Sequence, residues 1–464
     1  MITTIDPATE DVIERFAYMD AGAANAKVQR ADAAFSAWRT VALEQRSALL
    51  RNVAQRFRAE SASLAATAVR EMGKPIVQAR AEIEKCAWAL EYFADHAGAM
   101  LAPQETPSNA ARSYVAFRPL GVVLAIMPWN FPYWQVVRAA APALMAGNTM
   151  LLKHADNTTK CALEIERVFR DAGAPDGVFG TLLMTNEAVD ELIGDARIAA
   201  VTLTGSERAG VAVASAAGQA LKKCVLELGG SDAFVILEDA DLERAATTAV
   251  TARFQNNGQS CIAAKRFIAV DSVYDDFLSR FVEIARRQRI GNPSDETTDV
   301  GPCARGDLLK TLHEQVASTM QRGGDLVLGG RPLQEKGYYY EPTIVGGVEP
   351  GMRMFDEEVF GPAAAVIRAK DAREAIALAN ASSYGLGFSI WTSDAALAER
   401  VAGDVEAGAV FVNGMVSSDP RLPFGGVKKS GYGRELSAFG IHEFANIQTV
   451  WFGAAAATQT VPSE

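Results

Sequence analysis

Between residues 122 and 237 the chain repeats one pattern, a short apolar run followed by a helical window or a turn. The runs lie at 122–126, 150–152, 178–183, 200–203, 225–228 and 234–237, with helical spacing at 161–171 and 187–193. A strand whose every side chain is apolar has to be covered on both faces. Crossover helices do this in a parallel sheet, so the pattern predicts an α/β fold. A second α/β series follows: a strand at 267–270, helices at 273–287 and 308–321, and apolar runs at 325–328, 363–367 and 409–412. Ahead of both, residues 23–100 carry apolar residues at helical spacing. Leu49, Leu50, Val53 and Phe57 mark one face and Ile83, Ala87, Leu90 and Ala94 another, with Gly73-Lys74-Pro75 breaking the pattern between them. The segments 113–117 and 447–452 are candidates for an accessory hairpin or edge strand. At about 150 residues per domain, 464 residues allow two or three domains.

Charge narrows the function. Lys and Arg number 45 against 56 Asp and Glu, a formal charge of −11, and the isoelectric point is near 5.1. This balance speaks against a nucleic-acid binder or an anionic-membrane protein, both of which need a basic face. The first residues show no basic stretch leading into an apolar one, and no apolar run reaches the ~18 residues of a membrane span, so a cytoplasmic protein is expected. The five cysteines are scattered and form no C-x-x-C pair, so neither a disulfide framework nor a metal site is expected. The low-complexity tail from Ala454 is expected to fray.

Chemistry concentrates in three places. Gln255-Asn256-Asn257-Gly258-Gln259-Ser260-Cys261 sets a cysteine after a polar, glycine-containing stretch, as a loop presenting a sulfur to a cleft would. Cys86, Cys161 and Cys224 lie in helical or strand patterns and read as core, while Cys303 is open to either reading. Of His96, His154, His313 and His442, none sits in a loop suited to activating a thiol; His154 reads as a hydrogen-bonded packing residue at a strand end. The better partner is Glu227, closing the run Val225-Leu226-Glu227-Leu228-Gly229-Gly230, where burial would raise its pKa toward that of a general base. The third place is Pro128-Trp129-Asn130-Phe131-Pro132, in which two prolines would hold the Asn130 amide rigidly enough to serve an oxyanion. The chain has neither a Walker A motif nor G-x-G-x-x-G. Thr204-Gly205-Ser206, followed by a helix containing Gly210, is either an N-cap turn or a pyrophosphate site at a helix N-terminus.

Taken together, Trp129-Asn130-Phe131-Pro132, Gly205-Ser206, Glu227-Leu228-Gly229-Gly230, Gly258-Gln259-Ser260-Cys261, Glu358-Val359-Phe360-Gly361-Pro362 and Pro423-Phe424-Gly425-Gly426 resemble the NAD(P)-dependent aldehyde dehydrogenases in order and spacing. Within them the chain is most similar to the short succinate semialdehyde dehydrogenases, through Leu152-Lys153-His154-Ala155, Ala263-Ala264-Lys265-Arg266-Phe267 and Val427-Lys428-Lys429-Ser430-Gly431.

The resemblance implies roles. Cys261 would be the nucleophile, Asn130 the oxyanion donor and Glu227 the base that hydrolyses a thioester. Trp129, Lys153, Asp156, Gly205, Ser206, Gly210, Glu358 and Phe360 would hold NAD or NADP, with NAD favoured because Asp156 would repel a 2′-phosphate. Arg138 would meet a succinate semialdehyde carboxylate, but a second arginine common in relatives is replaced here by Gln255, and Arg253 is a near miss in position. Either Arg138 with Ser417 and Ser418 therefore suffices, or the substrate is another small aliphatic or aromatic aldehyde; a non-catalytic protein on the same scaffold is the remaining alternative. The fold implied is a doubly wound cofactor domain at 1–103 and 120–230, an α/β catalytic domain at 231–440, and a small β oligomerisation element at 104–119 and 441–464. That element implies a homodimer or homotetramer.

Overall fold

The computed structural model describes residues 1–453; the tail 454–464, expected to fray, lies outside the described residues. Two large sheets dominate. In the first, six strands run in the order Gly431–Tyr432, Lys223–Glu227, Ile198–Thr204, Val122–Met127, Thr149–His154 and Phe179–Thr181, parallel apart from the first. Alternate residues of these strands enter separate cores. Val123, Ala125, Met127, Met150 and Leu152 pack with Phe57, Phe93 and Leu144 on one side. Val122, Leu124 and Leu151 pack with Val28, Val201 and Val213 on the other. Burial on both faces is what the continuous apolar runs required.

Strand order reverses between Val122–Met127 and Ile198–Thr204, the place where a doubly wound sheet opens a crevice beyond its carboxyl ends. Trp129-Asn130 follows the first of these strands and Gly205-Ser206 the second, so topology alone brings two distant motifs to one cleft.

The second sheet orders Asp325–Leu328, Thr343–Gly346, Ala363–Ala369, Ala264–Val270, Asp232–Ile236, Gly387–Trp391 and Ala409–Val412, with only the first strand antiparallel. Its core holds Phe234, Phe267, Phe277, Phe281 and Trp391. Two of these strands, Thr343–Gly346 and Gly387–Trp391, had no apolar run to announce them. The strand Ala264–Val270 begins three residues earlier than its apolar part because Lys265 and Arg266 are buried with partners; Arg266 donates to the carbonyls of Ser231, Leu378 and Ala379 at 2.8–2.9 Å.

The helical region divides into Ala21–Trp38, Leu43–Ala59, Ser61–Met72 and Ile76–Met100. Gly73, at φ 75°, ends the third in the left-handed conformation that follows many helices. Helix Trp134–Ala146 is buried along all its residues, Pro142 included, so it lacks the polar face that a 3.6-residue period needs. The late segment Ala445–Phe452 pairs antiparallel with Arg112–Pro119, which also pairs with Gln104–Glu105 in a separate three-stranded sheet. Among the described residues, no helix is long and apolar enough to cross a membrane.

Candidate active site

The loop carrying Cys261 is built from its polar residues. Asn256, Asn257 and Gly258 have φ of 54°, 58° and 70°, a left-handed run that asparagine and glycine tolerate best. The side chains then tie the loop to distant segments. Asn256 Nδ2 donates to the carbonyls of Asn130 (2.9 Å) and Gln259 (3.0 Å), and Asn257 Nδ2 to those of Gly73 (2.8 Å) and Pro302 (3.0 Å). Arg253 is fully buried beneath, its guanidinium donating to the carbonyls of Ala264 (3.0 Å), Gly258 (2.5 Å) and Gly361 (2.8 Å). The arginine near the substrate end is thus a strut of the cysteine loop. Lys265, equally buried, donates to the carbonyls of Ser260 and Cys261 and stands 3.6 Å from Glu358.

Cys261 lies in the wall shared by two cavities. The first, about 260 Å³, is lined by Phe131, Trp134, Gln255, Arg138, Lys85 and the pair Ser417-Ser418. The second, about 320 Å³, is lined by Trp129, Asn130, Gly205, Ser206, Glu358 and Phe360. Gln135 also borders both, and its side-chain amide donates to Asn130 Oδ1 at 3.1 Å. Asn130 Nδ2 in turn donates to the Gln259 carbonyl at 2.9 Å, which leaves one of its two amide hydrogens uncommitted.

The second cavity has the features a dinucleotide needs. Ser206 caps the helix Glu207–Gln219, accepting from the Ala209 N–H at 3.3 Å, and the helix's first amides open beside the turn. A Cβ on Gly210 would come within 2.5 Å of Leu228, so this glycine lets the helix pack closely on the strand end. Glu358 leaves the acidic run Asp356-Glu357-Glu358 and turns inward. It accepts the Gly230 N–H at 3.0 Å and lies where a Cβ on Gly229 would sit, 2.4 Å away. Trp129 and Phe360 meet edge to face at 5.7 Å. Arg305 and Leu308 also line this space, and nothing in their sequence surroundings marks them.

Lys153 and Asp156 do not line this cavity. Lys153 Nζ donates to Asn186 Oδ1 at 2.8 Å and stands 3.5 Å from Asp156, whose other oxygen accepts the Tyr18 hydroxyl at 2.7 Å. Tyr18 was invisible in the sequence, since it acts across 138 residues.

Glu227 borders neither cavity. Its carboxyl is buried with no hydrogen-bond partner for either oxygen among the described residues. A Cβ on Gly425 would stand 2.6 Å from it, so it rests against bare backbone. Burial and the neighbouring Glu435 carboxyl push its pKa well above the usual range, against the pull of Arg138 and Arg434. Arg138 pairs with Glu435 while donating through Nη2 to Thr204 Oγ1 at 3.2 Å, and stacks 4.5 Å over Phe424. Burial pushes the Cys261 thiol up to about 11, with Arg138 and Lys265 pulling the other way.

A family model described as "Aldehyde dehydrogenase family" matches residues 1–450. The chain belongs to the aldehyde dehydrogenase family. It is 50% identical over 448 residues, 97% of each chain, to the NAD(P)+ succinate semialdehyde dehydrogenase Sad of Escherichia coli (strain K12). It is 48% identical to a probable NADP(+) succinate-semialdehyde dehydrogenase of Synechocystis sp., over 97% of this chain and 99% of that one. The crystal structure of succinic semialdehyde dehydrogenase from Streptococcus pyogenes with NADP+ as the cofactor superposes with a TM-score of 0.96 at 36% identity, covering 98% of this chain and all of that one. Aldehyde dehydrogenase architecture accounts for both sheets and the cleft between them.

None of the four histidines lines either cavity. His154 is buried, with Nε2 2.9 Å from the Pro132 carbonyl and Nδ1 2.8 Å from Thr158 Oγ1, the pattern of a neutral ring that donates at one nitrogen and accepts at the other. Burial pushes its pKa down to about 4. An unfolded histidine titrates near 6.5, so in acid the unfolded chain takes the proton first. The stability held by neutral His154 is complete above pH ~6.5 and lost progressively toward pH 4, a total of about 3 kcal/mol. Urea unfolding at stepped pH, compared with His154→Gln, should show a shallower acid loss in the variant; identical slopes would remove the assignment.

Proposed function

We propose that the chain oxidises succinate semialdehyde to succinate with NAD(P)+, with Cys261 as nucleophile, Asn130 as oxyanion donor and Glu227 as the base for water. The observation that carries this reading is the position of Cys261 in the wall common to an aldehyde-sized cavity and a dinucleotide cradle. The Cys261 thiolate adds to the aldehyde carbon, and the oxyanion is received by the free Asn130 amide hydrogen and the Cys261 backbone N–H. Bound in the second cavity, the nicotinamide supplies the hydride acceptor that takes the adduct to a thioester. Glu227 then accepts a proton from water, the hydroxyl oxygen attacks the thioester carbon, and the Cys261 thiolate leaves. The unpartnered oxygens of Glu227 and the bare backbone at Gly425 leave its carboxyl free to turn toward the sulfur.

Arg138, Ser417 and Ser418 are assigned to the aldehyde side, and Trp129, Gly205, Ser206, Gly210, Glu358 and Phe360 to the cofactor side. Residues 1–103 and 120–230 form the cofactor domain and 231–440 the catalytic domain. The element at 104–119 and 441–464, whose residues 454–464 lie outside the described residues, pairs subunits into a dimer or tetramer; Ile447, Trp451 and Phe452 are 60%, 54% and 48% exposed on it. A cytoplasmic location fits free cysteines in a chain that depends on one of them.

For the cofactor we favour NAD, although several relatives are named for NADP(+). Tyr18 and Lys153 hold the Asp156 carboxylate in place, and there it would accept from a ribose diol and repel a 2′-phosphate. Lys153 offsets part of that repulsion, so a preference of about 5- to 150-fold is expected. The test is a panel of succinate semialdehyde, butanal and benzaldehyde with each nucleotide, read as reduced nicotinamide. Succinate semialdehyde should lead by roughly tenfold or more. Asp156→Ser should narrow the cofactor ratio by improving use of NADP. A panel led by butanal or benzaldehyde would give the chain another aldehyde, and a silent panel would make it a non-catalytic protein on this scaffold. A cofactor ratio unmoved by Asp156→Ser would leave Asp156 as a helix-start residue only.

A further inference from the structure

The charges around the aldehyde cavity do not balance. Three cations border it: Lys74, Arg138 and Lys85. Lys74 is buried against Glu82, and Arg138 against Glu435. Lys85 is different, for among the described residues no carboxylate oxygen lies within 4 Å of its ammonium. It donates instead to Ser418 Oγ at 2.7 Å and stands 4.4 Å from the centre of the Trp134 ring. Asp419, the nearest acid on the facing loop, is already held by Arg421 at 2.6 Å. Burial, with Arg138 next, pushes the Lys85 pKa down to about 8, while Cys86, Glu82 and Asp419 pull the other way. A cation removed from water with neutral partners only is costly, and an incoming anion relieves that cost.

We propose that Lys85, with Ser418, is the group that selects an aldehyde bearing a distal carboxylate, standing in for the second arginine whose place Gln255 occupies. The inference rests on the reading of this cavity as the aldehyde site and deepens it. Arg138 borders the same space, but its charge is already matched by Glu435, so it can offer hydrogen bonds without offering net charge. Lys85 supplies the unmatched unit of charge on the wall of the pocket that Cys261 also borders. Helix Ile76–Met100 positions it: Gln78, Ala81, Glu82 and Lys85 fall at the i, i+3, i+4, i+7 spacing and all border the cavity, while Ile83, Ala87 and Leu90 face the core.

The experiment compares wild type with Lys85→Met, Lys85→Arg and Lys85→Glu on succinate semialdehyde and butanal. The readout is the ratio of the two kcat/KM values, with KM and kcat reported separately. Lys85→Met should lower the ratio by roughly 10- to 150-fold, the loss falling mainly in KM for the charged aldehyde. Lys85→Arg should restore it to within about fivefold, since charge and donors return. Lys85→Glu should lower it further and raise relative use of 4-aminobutanal. A helix-packing role would reduce both aldehydes together and leave the ratio unmoved, which would overturn the inference. So would a Lys85→Met enzyme that keeps the wild-type ratio, while the wild-type preference for succinate semialdehyde leaves the wider reading standing. A wild type that itself favours butanal would instead overturn the reading of the substrate.

Discussion

Cys261→Ala should abolish aldehyde-dependent formation of reduced nicotinamide, a loss of about 10⁴-fold or more, whereas Glu227→Gln should allow one turnover per site and then stall. The difference follows from where each group acts. Without the sulfur there is no covalent adduct to oxidise. Without the Glu227 carboxylate the adduct still forms and is oxidised, but water meets the thioester with no base, a step such a group accelerates by about 10²- to 10⁴-fold. Rapid mixing should therefore show a burst close to the site concentration, and mass spectrometry of the quenched variant an acyl group on Cys261. Burial and Glu435 raise the Glu227 pKa, so in wild type the steady rate should climb with pH as Glu227 ionises, and the variant should lack that limb. A Glu227→Gln enzyme with the normal steady rate would hand the role of base to another residue.

Arg138→Ala should cost about 3–5 kcal/mol of stability, because it leaves Glu435 buried and uncompensated beside Glu227. Both carboxyls are fully enclosed, at 0% and 1% exposure, so water cannot replace the guanidinium. The deficit should be largest at high pH and shrink as pH falls, since the orphaned carboxyl binds a proton in the folded state that the unfolded chain does not yet hold. Adding Glu435→Gln to Arg138→Ala should recover part of the loss, and denaturant midpoints for the two single variants and the double give the coupling. Activity should fall on charged and neutral aldehydes alike, in contrast to Lys85→Met. An Arg138→Ala protein with wild-type stability would mean that Glu435 is already neutral.

The doubly wound sheet was legible because strands such as Val122–Met127 bury both faces and leave an unbroken apolar run. Gly387–Trp391 escaped notice because glycine and serine interrupt its apolar residues, and Trp134–Ala146 because a helix buried on all sides has no period. At the site, motifs local in sequence were readable, and topology explains why Trp129, Asn130, Gly205 and Ser206 converge. Charged residues inside those motifs could be named, but their pairings could not, since these join distant parts of the chain: Arg138 with Glu435, Tyr18 with Asp156, Lys265 with Glu358. Lys85 would have read as one more solvated helix charge, although the polar positions 78, 82 and 85 at helical spacing were a signal that this face meets something other than water.

The ties of the cysteine loop also set an order on the molecule's assembly. Its hydrogen bonds reach Gly73, Asn130, Pro302 and Gly361, so the loop takes its shape only after segments from both ends of the chain have arrived. A chain emerging residue by residue can complete its first five parallel strands, and the Gly205-Ser206 turn with them, while Cys261 is still an ordinary thiol on an unanchored segment. The Cys261 loop therefore cannot be fully anchored until residue 361 has been made, and the loss of any one of those four anchors should loosen it.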